Sequence, residues 1–500
     1  MHSAFRALSR RALCAALLGT MTLIPACAAE EDPAPTAEDD IDVAIGAVFR
    51  DYATSETAGP LWFGNSMQVA GGAEFDTHTV RGFGTIAEPV VRYPKGKRTL
   101  GRTGAVGLAE GAYGVLVQFS PRDGKRGEAL AKVRLARFET TDTSRETTSA
   151  QLGDLGLDIQ MPGDTNERHA KDDGYYRGYF RFTVTKEDAG KVFAYRVIVD
   201  STGAGEWETG LVAIHREGRP FYAIAHNPDD IPSLDRALDE GVNALGPDLM
   251  FSPLAPDRIE VAHPAIVINS ACPSGRDGRA DLRDYLRHLS ARAKDIPVLW
   301  DVKPNAGTWV GDKCKKVDQD LPAFARRFQA IATEEKYDLG RSIMSVPTYD
   351  MLPFLDSMNG TNTGRSIDNL TNFVNKNEVI STWVKPSQTA RLTWAGLGIS
   401  AKALRVTQKW TVPVAGLVRA RETMEFPKKI DFWSVSDAWE YRRLLDLGVD
   451  GLIADDVPTL RAVLREEPYA TMFRYADASD SPFEKFAGGK WLCQGGCRRE

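Results

Sequence analysis

Residues 297–303 read Pro-Val-Leu-Trp-Asp-Val-Lys, a short apolar run that ends in charged side chains. Runs of this length are typical of buried strands, and amphipathic segments of helical length, such as 321–335 and 438–447, separate several of them. Similar runs lie at 221–226, 243–251, 342–347, 391–394, 430–434 and 451–454. Repeated strand–helix units over about 270 residues predict an α/β TIM-type (β/α) barrel at 218–487.

The segment before the barrel, residues 41–217, has a different pattern. Its short runs, such as 113–119 and 192–199, are rich in Val, Tyr and Phe, and clusters of Gly or Asp separate them. This spacing, without long helical periodicity, predicts a β-sandwich. No constellation of His, Asp or Cys in it suggests chemistry, and its aromatic residues are more typical of a core than of a ligand platform. The sequence therefore assigns this domain no role.

The N-terminus has the pattern of an export signal. Positively charged residues precede an apolar run at 12–24, which is too short to span a membrane, and small residues follow at 26–29. Two readings of the cleavage site stay open: a bacterial lipobox that would lipidate Cys27, or ordinary cleavage among the alanines. We therefore predict a signal peptide at 1–27, an acidic Pro/Ala linker at 28–40, and a protein that is secreted or anchored to the bacterial cell envelope.

Charge and cysteine content narrow the class of partner. A net charge of −6 and a pI near 5.8 argue against nucleic acid, so any phosphate-binding site needs a local cation. Four cysteines remain after the leader, an even number in an oxidising compartment, and two disulfides are expected. We favour Cys272 with Cys314, and Cys493 with Cys497 in the tail at 488–500, although four cysteines allow three connectivities.

Polar residues at the C-terminal ends of barrel strands form the active site in this fold. Those positions hold His226, Asp248, Asp301, Lys303, Trp433 and Asp455. Two carboxylates, Asp248 and Asp301, provide the oxygen ligands that Mg²⁺ prefers. Lys303 lies two residues after Asp301 and so points to the same face of the strand, where its charge suits a phosphate oxygen.

Two histidines complete a set of groups for phosphodiester cleavage. One of His226 and His263 can take a proton or attack phosphorus while the other protonates the leaving oxygen. Each candidate also has a simpler explanation. A strand-end aspartate can be a helix N-cap, Lys303 a surface charge, His226 a strand cap and His263 a loop residue. It is their conjunction at strand ends that indicates chemistry.

Several stretches of the barrel resemble the sphingomyelinase D family, which is related to glycerophosphodiester phosphodiesterases. They are 223–227 (AIAHN), 243–251 (NALGPDLMF), 262–264 (AHP), 299–303 (LWDVK), 345–347 (SVP), 432–435 (FWSV), 448–451 (GVDG), 473–476 (FRYA) and 480–483 (DSPF). The last two are close to the C-terminal tail that plugs the barrel in that family and is lacking in ordinary glycerophosphodiesterases. The resemblance covers roughly residues 220–487 and leaves the β domain untouched.

The resemblance implies roles for these residues. His226 and His263 would be catalytic together with Lys303, Asp248 and Asp301 would bind one Mg²⁺, and Trp433 would line the substrate mouth. Barrel-rim packing is an equally good explanation of Trp433. The implied activity is transphosphatidylation of choline phospholipids, such as sphingomyelin and lysophosphatidylcholine, to a cyclic phosphate and choline at a membrane surface.

One position departs from the family. Gly246 stands where the family has a metal-binding glutamate, and glycine provides no side-chain oxygen. Three explanations stay open: Asp455 or Asp456 replaces that ligand, the site binds Mg²⁺ weakly through more water, or the barrel binds lipid without catalysis. The alternative functions are accordingly a glycerophosphodiester phosphodiesterase and a catalytically impaired lipid-binding surface lipoprotein. The sequence leaves the oligomeric state open.

Overall fold

A computed structural model of the chain describes residues 50–51, 68–80, 86–103, 106–139, 151–162, 173–190, 193–251, 258–267, 270–273, 279–303, 307–310, 313–316, 320–347, 351–367, 393–398, 414, 417–418, 421, 427–486 and 490–491. The predicted signal peptide with Cys27, the linker, Cys493 and Cys497 lie outside these residues. Among the described helices, none combines the length and the apolar character that crossing a bilayer requires.

The first part of the described chain is built from antiparallel strands in two sheets. The larger sheet contains β1 (Arg50–Asp51), β2 (Gln68–Ala70), β5 (Thr99–Arg102), β6 (Val106–Gly107), β8 (Ala129–Glu139), β9 (Gln151–Gln160) and β11 (Phe193–Ser201). The smaller sheet contains β3 (Glu74–Val80), β4 (Ile86–Tyr93), β7 (Gly111–Pro121), β10 (Tyr176–Val184) and β12 (Trp207–Arg216). A short helix, Lys186–Gly190, connects β10 to β11.

The two sheets share one apolar core. Val115 and Val117 of the smaller sheet cluster with Val133 and Val197 of the larger sheet, and all four are fully buried. The alternation of buried and more exposed residues along β10 shows why these strands form, since one face of each strand turns inward. This shared core supports the sandwich arrangement, which stays a prediction.

The second part of the chain is a closed barrel of eight parallel strands, as predicted. In chain order they are β13 (Arg219–His226), β14 (Ala244–Gly246), β20 (Val298–Val302), β23 (Ser342–Val346), β24 (Gly364–Ile367), β25 (Trp394–Gly398), β26 (Lys429–Val435) and β27 (Gly451–Ala454). Pairing of β13 with β27 closes the ring. Pro247 interrupts the second strand, whose continuation β15 (Asp248–Phe251) also pairs with β20.

Helices and short hairpins connect the barrel strands. The helices are α1 (Ile231–Asp239), α2 (Leu282–Arg292), α3 (Leu321–Glu334), α4 (Leu352–Ser357), α5 (Ala438–Leu447), α6 (Val457–Leu464) and α7 (Tyr469–Met472). Asp230, Asp320 and Asp456 cap three of them, each followed by a proline in the first turn. The remaining strands are β16 (Ile259–Ala262), β17 (Pro264–Val267), β18 (Ser270–Pro273), β19 (Arg279–Asp281), β21 (Gly307–Val310) and β22 (Lys313–Lys316).

The C-terminal segment closes the end of the barrel at which the strands begin. Its strand β28 (Phe473–Tyr475) pairs with the start of β13, and Ala476 and Phe483 pack into the interior cluster. Lys429 Nζ donates to the Glu484 carbonyl at 2.8 Å. This is the plug position expected from the family resemblance. The chain then returns to the β domain, where β29 (Lys490–Trp491) pairs with β6, a contact that the sequence did not predict.

A buried polar network joins the β domain to the barrel. Asp446 of α5 accepts hydrogen bonds from Arg177 Nε at 2.9 Å and from the Tyr469 hydroxyl at 2.7 Å. The Gln118 side chain of β7 also donates to Asp446. These bonds connect both domains through one fully buried carboxylate.

Candidate active site

The C-terminal ends of neighbouring strands bring the predicted residues to one mouth of the barrel. Asp248 is in register with Asp301 on the adjacent strand, and His226 is in register with Gly246. Asp455 directly follows β27, the strand on the other side of His226. Side chains that are far apart in the sequence therefore meet because the sheet closes.

Lys303 lies between the two aspartates. Its Nζ is 3.0 Å from Asp248 Oδ1 and donates a hydrogen bond to Asp301. Burial by itself lowers the pKa of a lysine, but the two carboxylates outweigh that effect and raise the pKa of Lys303 above its ordinary value. The ammonium is therefore a fixed positive charge beside two acidic groups.

Asp248 is the most deeply buried group of the site. Its side chain has no exposed surface, and burial raises the pKa of its carboxyl to about 7 although Lys303 opposes the rise. The Lys303 ammonium is its one side-chain partner at hydrogen-bond distance among the described residues, so most of the acceptor capacity of the two carboxylate oxygens is unused. A buried carboxylate in this state is poised to accept a cation.

His226 is held by a carboxylate. Its Nδ1 lies 2.5 Å from Asp455 Oδ1, so an Nδ1–H donor faces the acceptor. This tautomer leaves the lone pair on Nε2, the atom that a base or nucleophile uses. The two side chains are 29% and 41% exposed, which leaves the ring accessible at the mouth.

His263 follows β16 and lies near the Asp248 carboxylate. Its Nε2 is 3.8 Å from Asp248 Oδ2, and its side chain is 30% exposed. The two histidines therefore lie at one mouth, one paired with Asp455 and the other next to Asp248. This arrangement suits one proton acceptor and one proton donor.

Position 246 provides no side chain that could bind a metal, and it has little room for one. A Cβ there would lie 3.0 Å from the Ala225 carbonyl oxygen, because β13 approaches closely. The two proposed substitutes are already engaged, since Asp455 bonds His226 and Asp456 accepts from Thr459 N at 3.0 Å. Among the described residues, no three His, Cys, Asp or Glu side chains are grouped closely enough to hold a metal ion.

Trp433 occupies the rim. It is partly exposed, packs against the interior cluster and is in register with Gly398. A Cβ at Gly398 would overlap the Trp433 ring at 2.1 Å, so the glycine makes room for the indole. Both the packing and the substrate-facing explanations of Trp433 agree with this position.

The predicted Cys272–Cys314 disulfide is not tested by the geometry. Cys272 lies on the hairpin of β17 and β18, and Cys314 on the hairpin of β21 and β22. The two hairpins are neighbours, but the cysteine side chains lie outside the described residues. The pairing stays a prediction.

Two aspartates of the site escaped the sequence analysis. Asp229 accepts a hydrogen bond from the Asp248 backbone N–H at 2.8 Å and so positions that residue, and burial raises the pKa of Asp229. In the sequence it stands next to Asp230, the helix cap, and looks like part of the same turn. Asp431 lies within a strand, and its signal was a charged residue at an inward position of an otherwise apolar run.

A family model and several curated proteins match the part of the chain that contains the barrel. The family model of the dermonecrotic toxin SPH matches residues 325–483. A dermonecrotic toxin of Loxosceles intermedia is 25% identical over 296 residues, which is 54% of this chain and 90% of the toxin. A second toxin, from Loxosceles arizonica, is 23% identical over 295 residues, or 54% of this chain and 95% of the toxin.

Solved structures with matching chains include a glycerophosphodiester phosphodiesterase from Parabacteroides distasonis. It is 15% identical, with a TM-score of 0.34, and the match covers 50% of this chain and 98% of that one. A glycerophosphodiester phosphodiesterase from Agrobacterium tumefaciens is also 15% identical, with a TM-score of 0.31, over 49% of this chain and all of that one. The family model and the toxins bear out the predicted resemblance of the barrel to the sphingomyelinase D family, and they agree with the prediction of an enzyme that cleaves phosphoric diesters.

Proposed function

We propose that the barrel is an exported phospholipase D of the sphingomyelinase D type that releases choline from choline phospholipids and leaves a cyclic phosphate. The observation that carries the proposal is the grouping of Lys303, Asp248 and Asp301 with two histidines at one mouth. A fixed ammonium suits a phosphate oxygen, and a histidine on each side suits proton transfer to and from that phosphate.

Asp248 and Asp301 are the residues that would hold a Mg²⁺ ion. They fit this role because they face each other on adjacent strands and because the buried Asp248 carboxylate has only Lys303 at hydrogen-bond distance among the described side chains. Mg²⁺ keeps several water ligands and is commonly held by only one or two carboxylates together with substrate phosphates. When bound, the cation would neutralise charge on the phosphate.

The two histidines would divide the proton transfers. His226 Nε2, whose lone pair is fixed by the Asp455 contact, takes the proton of the lipid's own hydroxyl. That oxygen forms a bond to phosphorus while the bond from phosphorus to the choline oxygen breaks. His263 donates a proton to the departing choline oxygen. Attack by a neighbouring hydroxyl is favoured over water because it is intramolecular. Direct attack of His226 on phosphorus is the alternative first step.

The substrate mouth has a feature that suits choline. Trp433 is partly exposed at the rim, and an indole face attracts a quaternary ammonium by a cation–π contact worth about 0.5–2 kcal/mol. Export would bring the mouth to a membrane surface. Lipidation of Cys27 remains a prediction that the mass of the mature protein would test.

Choline release from purified protein tests the proposal. The protein is incubated with sphingomyelin, lysophosphatidylcholine and glycerophosphocholine, each with and without Mg²⁺. We expect release from the two lipids and a loss of about 10²–10⁴-fold in His226→Ala. His288→Ala is the matched control, because His288 pairs with Asp235 at 2.8 Å, away from the mouth.

The outcomes separate the alternatives. Release from glycerophosphocholine alone would identify a glycerophosphodiester phosphodiesterase. Lipid binding without release from any substrate would identify a non-catalytic lipoprotein, which the glycine at position 246 favours. Release that is unchanged in His226→Ala would exclude the proposed mechanism.

A further inference from the structure

Asp431 is a carboxylate that the barrel buries without a partner. Its side chain has no exposed surface, and the described residues give its oxygens no hydrogen-bond donor other than the N–H of its own backbone. Burying an unpaired charge is costly, and an isolated buried carboxylate in a folded protein therefore requires an explanation. A bound water or ion is a common one.

The side chain of Asp431 points into the barrel. Ile430 and Phe432, its neighbours on β26, belong to the outer cluster that packs against the helices. Lys429 and Trp433 share the face of Asp431, and Trp433 packs against the interior cluster. Because side chains alternate along a strand, Asp431 faces the interior.

Asp431 and Asp301 lie on opposite walls. Three strands separate β26 from β20 in either direction around the ring. An eight-stranded barrel is just wide enough for side chains to fill, so groups on opposite walls are close. Burial raises the pKa of Asp431 to about 7, and the charges of Asp450 and Asp301 add to the rise, which agrees with this proximity.

Further unpaired polar groups line the wall between the two aspartates. Ser345 is in register with Asp301, and Ser366 with Ser345. Both hydroxyls are buried without a hydrogen-bond partner among the described residues. Gly396, in register with Asp431, adds no side chain. Hydroxyls and a carboxylate that lack protein partners are the groups that ordered water satisfies.

We propose that Asp431 is the third carboxylate of the cation site and that it binds the cation through water ligands, in place of the side chain that Gly246 does not provide. The inference rests on the proposed cation site. Direct ligation is not required, since Mg²⁺ retains several waters and a carboxylate accepts hydrogen bonds from them. Asp455 and Asp456 are the alternatives, but Asp455 already holds His226 through one oxygen and Asp456 caps a helix through Thr459.

Calorimetric titration of the full-length protein with Mg²⁺ tests the proposal. We expect Asp431→Asn to weaken Mg²⁺ binding about 10- to 100-fold, the loss typical of removing an indirect partner of a metal site. Asp235→Asn is the matched control, an equal change at a carboxylate that pairs with His288 outside the mouth and that should leave the Mg²⁺ affinity unaltered. Circular dichroism checks that each variant folds. Equal affinity of Asp431→Asn and the unaltered protein overturns the proposal.

A second measurement uses the unaltered protein and remains decisive if the variant fails to fold. In crystals soaked with Mn²⁺, we expect a metal-bound water within hydrogen-bond distance of an Asp431 carboxylate oxygen. A bound cation whose waters all contact other residues overturns the proposal, as does a barrel that binds no divalent cation.

The outcomes also separate this inference from the proposed function. Weaker Mg²⁺ binding in Asp431→Asn without choline release from any lipid supports the inference and removes the function. If the protein releases choline and its Mg²⁺ binding depends on Asp248 but not on Asp431, the function is supported and the inference is removed.

Discussion

Two fully buried carboxylates, Asp446 at the domain interface and Asp431 inside the barrel, differ in everything except their burial. Asp446 accepts hydrogen bonds from Arg177, Tyr469 and Gln118. Asp431 accepts none from the other described residues. A buried charge with a full set of donors is part of the architecture, whereas one without donors is available to a ligand.

The comparison extends to the active site. Asp248 is as buried as Asp446. Among the described residues, the basic groups close to its carboxylate are Lys303 at 3.0 Å and His263 at 3.8 Å. Asp248 thus has fewer hydrogen-bond donors around it than Asp446 has. Burial identifies both groups of aspartates, and only the count of donors tells which group serves stability and which serves chemistry.

The largest effect is expected from Asp446→Ala. Among the described residues, removing this carboxylate leaves Asp173 as the one buried acidic partner of the Arg177 guanidinium, and breaking a buried ion pair typically costs about 3–5 kcal/mol. The free energy of unfolding, measured by urea denaturation, should fall by that amount. Choline release per folded molecule should stay the same, because the interface is far from the mouth in the fold.

Asp431→Asn tests whether Asp431 differs from Asp446 in its effect on stability. In metal-free buffer its free energy of unfolding should be unchanged or higher, because a neutral amide removes the desolvation of an unpaired charge. A loss as large as that of Asp446→Ala would show that Asp431 has a structural partner and belongs to the architecture.

A smaller effect is expected from Asp455→Asn, which changes a partly exposed pair. Exposed ion pairs contribute only about 0–1 kcal/mol, so the melting temperature should change little. The carboxylate fixes the His226 tautomer, and its loss should lower kcat about 10- to 100-fold, part of what a positioned base supplies. KM should be nearly constant. An equal rise in KM with constant kcat would assign Asp455 to substrate binding instead.

The sequence predicted the strand-end residues but not their partnerships. Two-residue periodicity was sufficient to place Asp301 and Lys303 on one face. The His226–Asp455 contact depends on pairing of the first and last strands, which only the closed ring reveals. Asp431 was missed because the sequence analysis looked for functional residues at strand ends. That its carboxylate lacks hydrogen-bond donors depends on which side chains surround it in three dimensions, and the sequence does not show this. The side chains of Cys272 and Cys314 lie outside the described residues.

The pH dependence of stability and of Mg²⁺ affinity should reveal the buried carboxylates that have few hydrogen-bond donors. Burial raises the pKa of both Asp248 and Asp431 from 3.8 to about 7. Without metal, their contribution to stability is full below pH 4 and is lost as the pH rises through 7. A cation needs the ionised forms, so the Mg²⁺ affinity should fall about tenfold for each pH unit below 7 and for each proton displaced.

Thermal unfolding and calorimetry across pH 4 to 8 measure both trends. Added Mg²⁺ should reverse the loss of stability above pH 6, and Asp431→Asn should show a shallower dependence than the unaltered protein. The Asp456→Asn variant is the control, since its carboxylate lies outside the barrel interior. If the free energy of unfolding without metal rises steadily from pH 4 to 8, the pKa values of these two aspartates are not raised, and their carboxylates do not lack hydrogen-bond donors.

The smallest effect is expected from Asp456→Ala, which removes a carboxylate that is not buried and that already has hydrogen-bond donors. Asp456 caps α6, accepting from the backbone N–H of Thr459 at 3.0 Å and from its hydroxyl at 2.7 Å. Loss of such a cap costs about 0.5–2 kcal/mol of stability. Mg²⁺ affinity should be unaltered, because the cap already satisfies this carboxylate. A weaker Mg²⁺ affinity in Asp456→Ala would mean that a fully bonded carboxylate can leave its donors for the cation, and counting donors would then no longer distinguish ligands from structural groups.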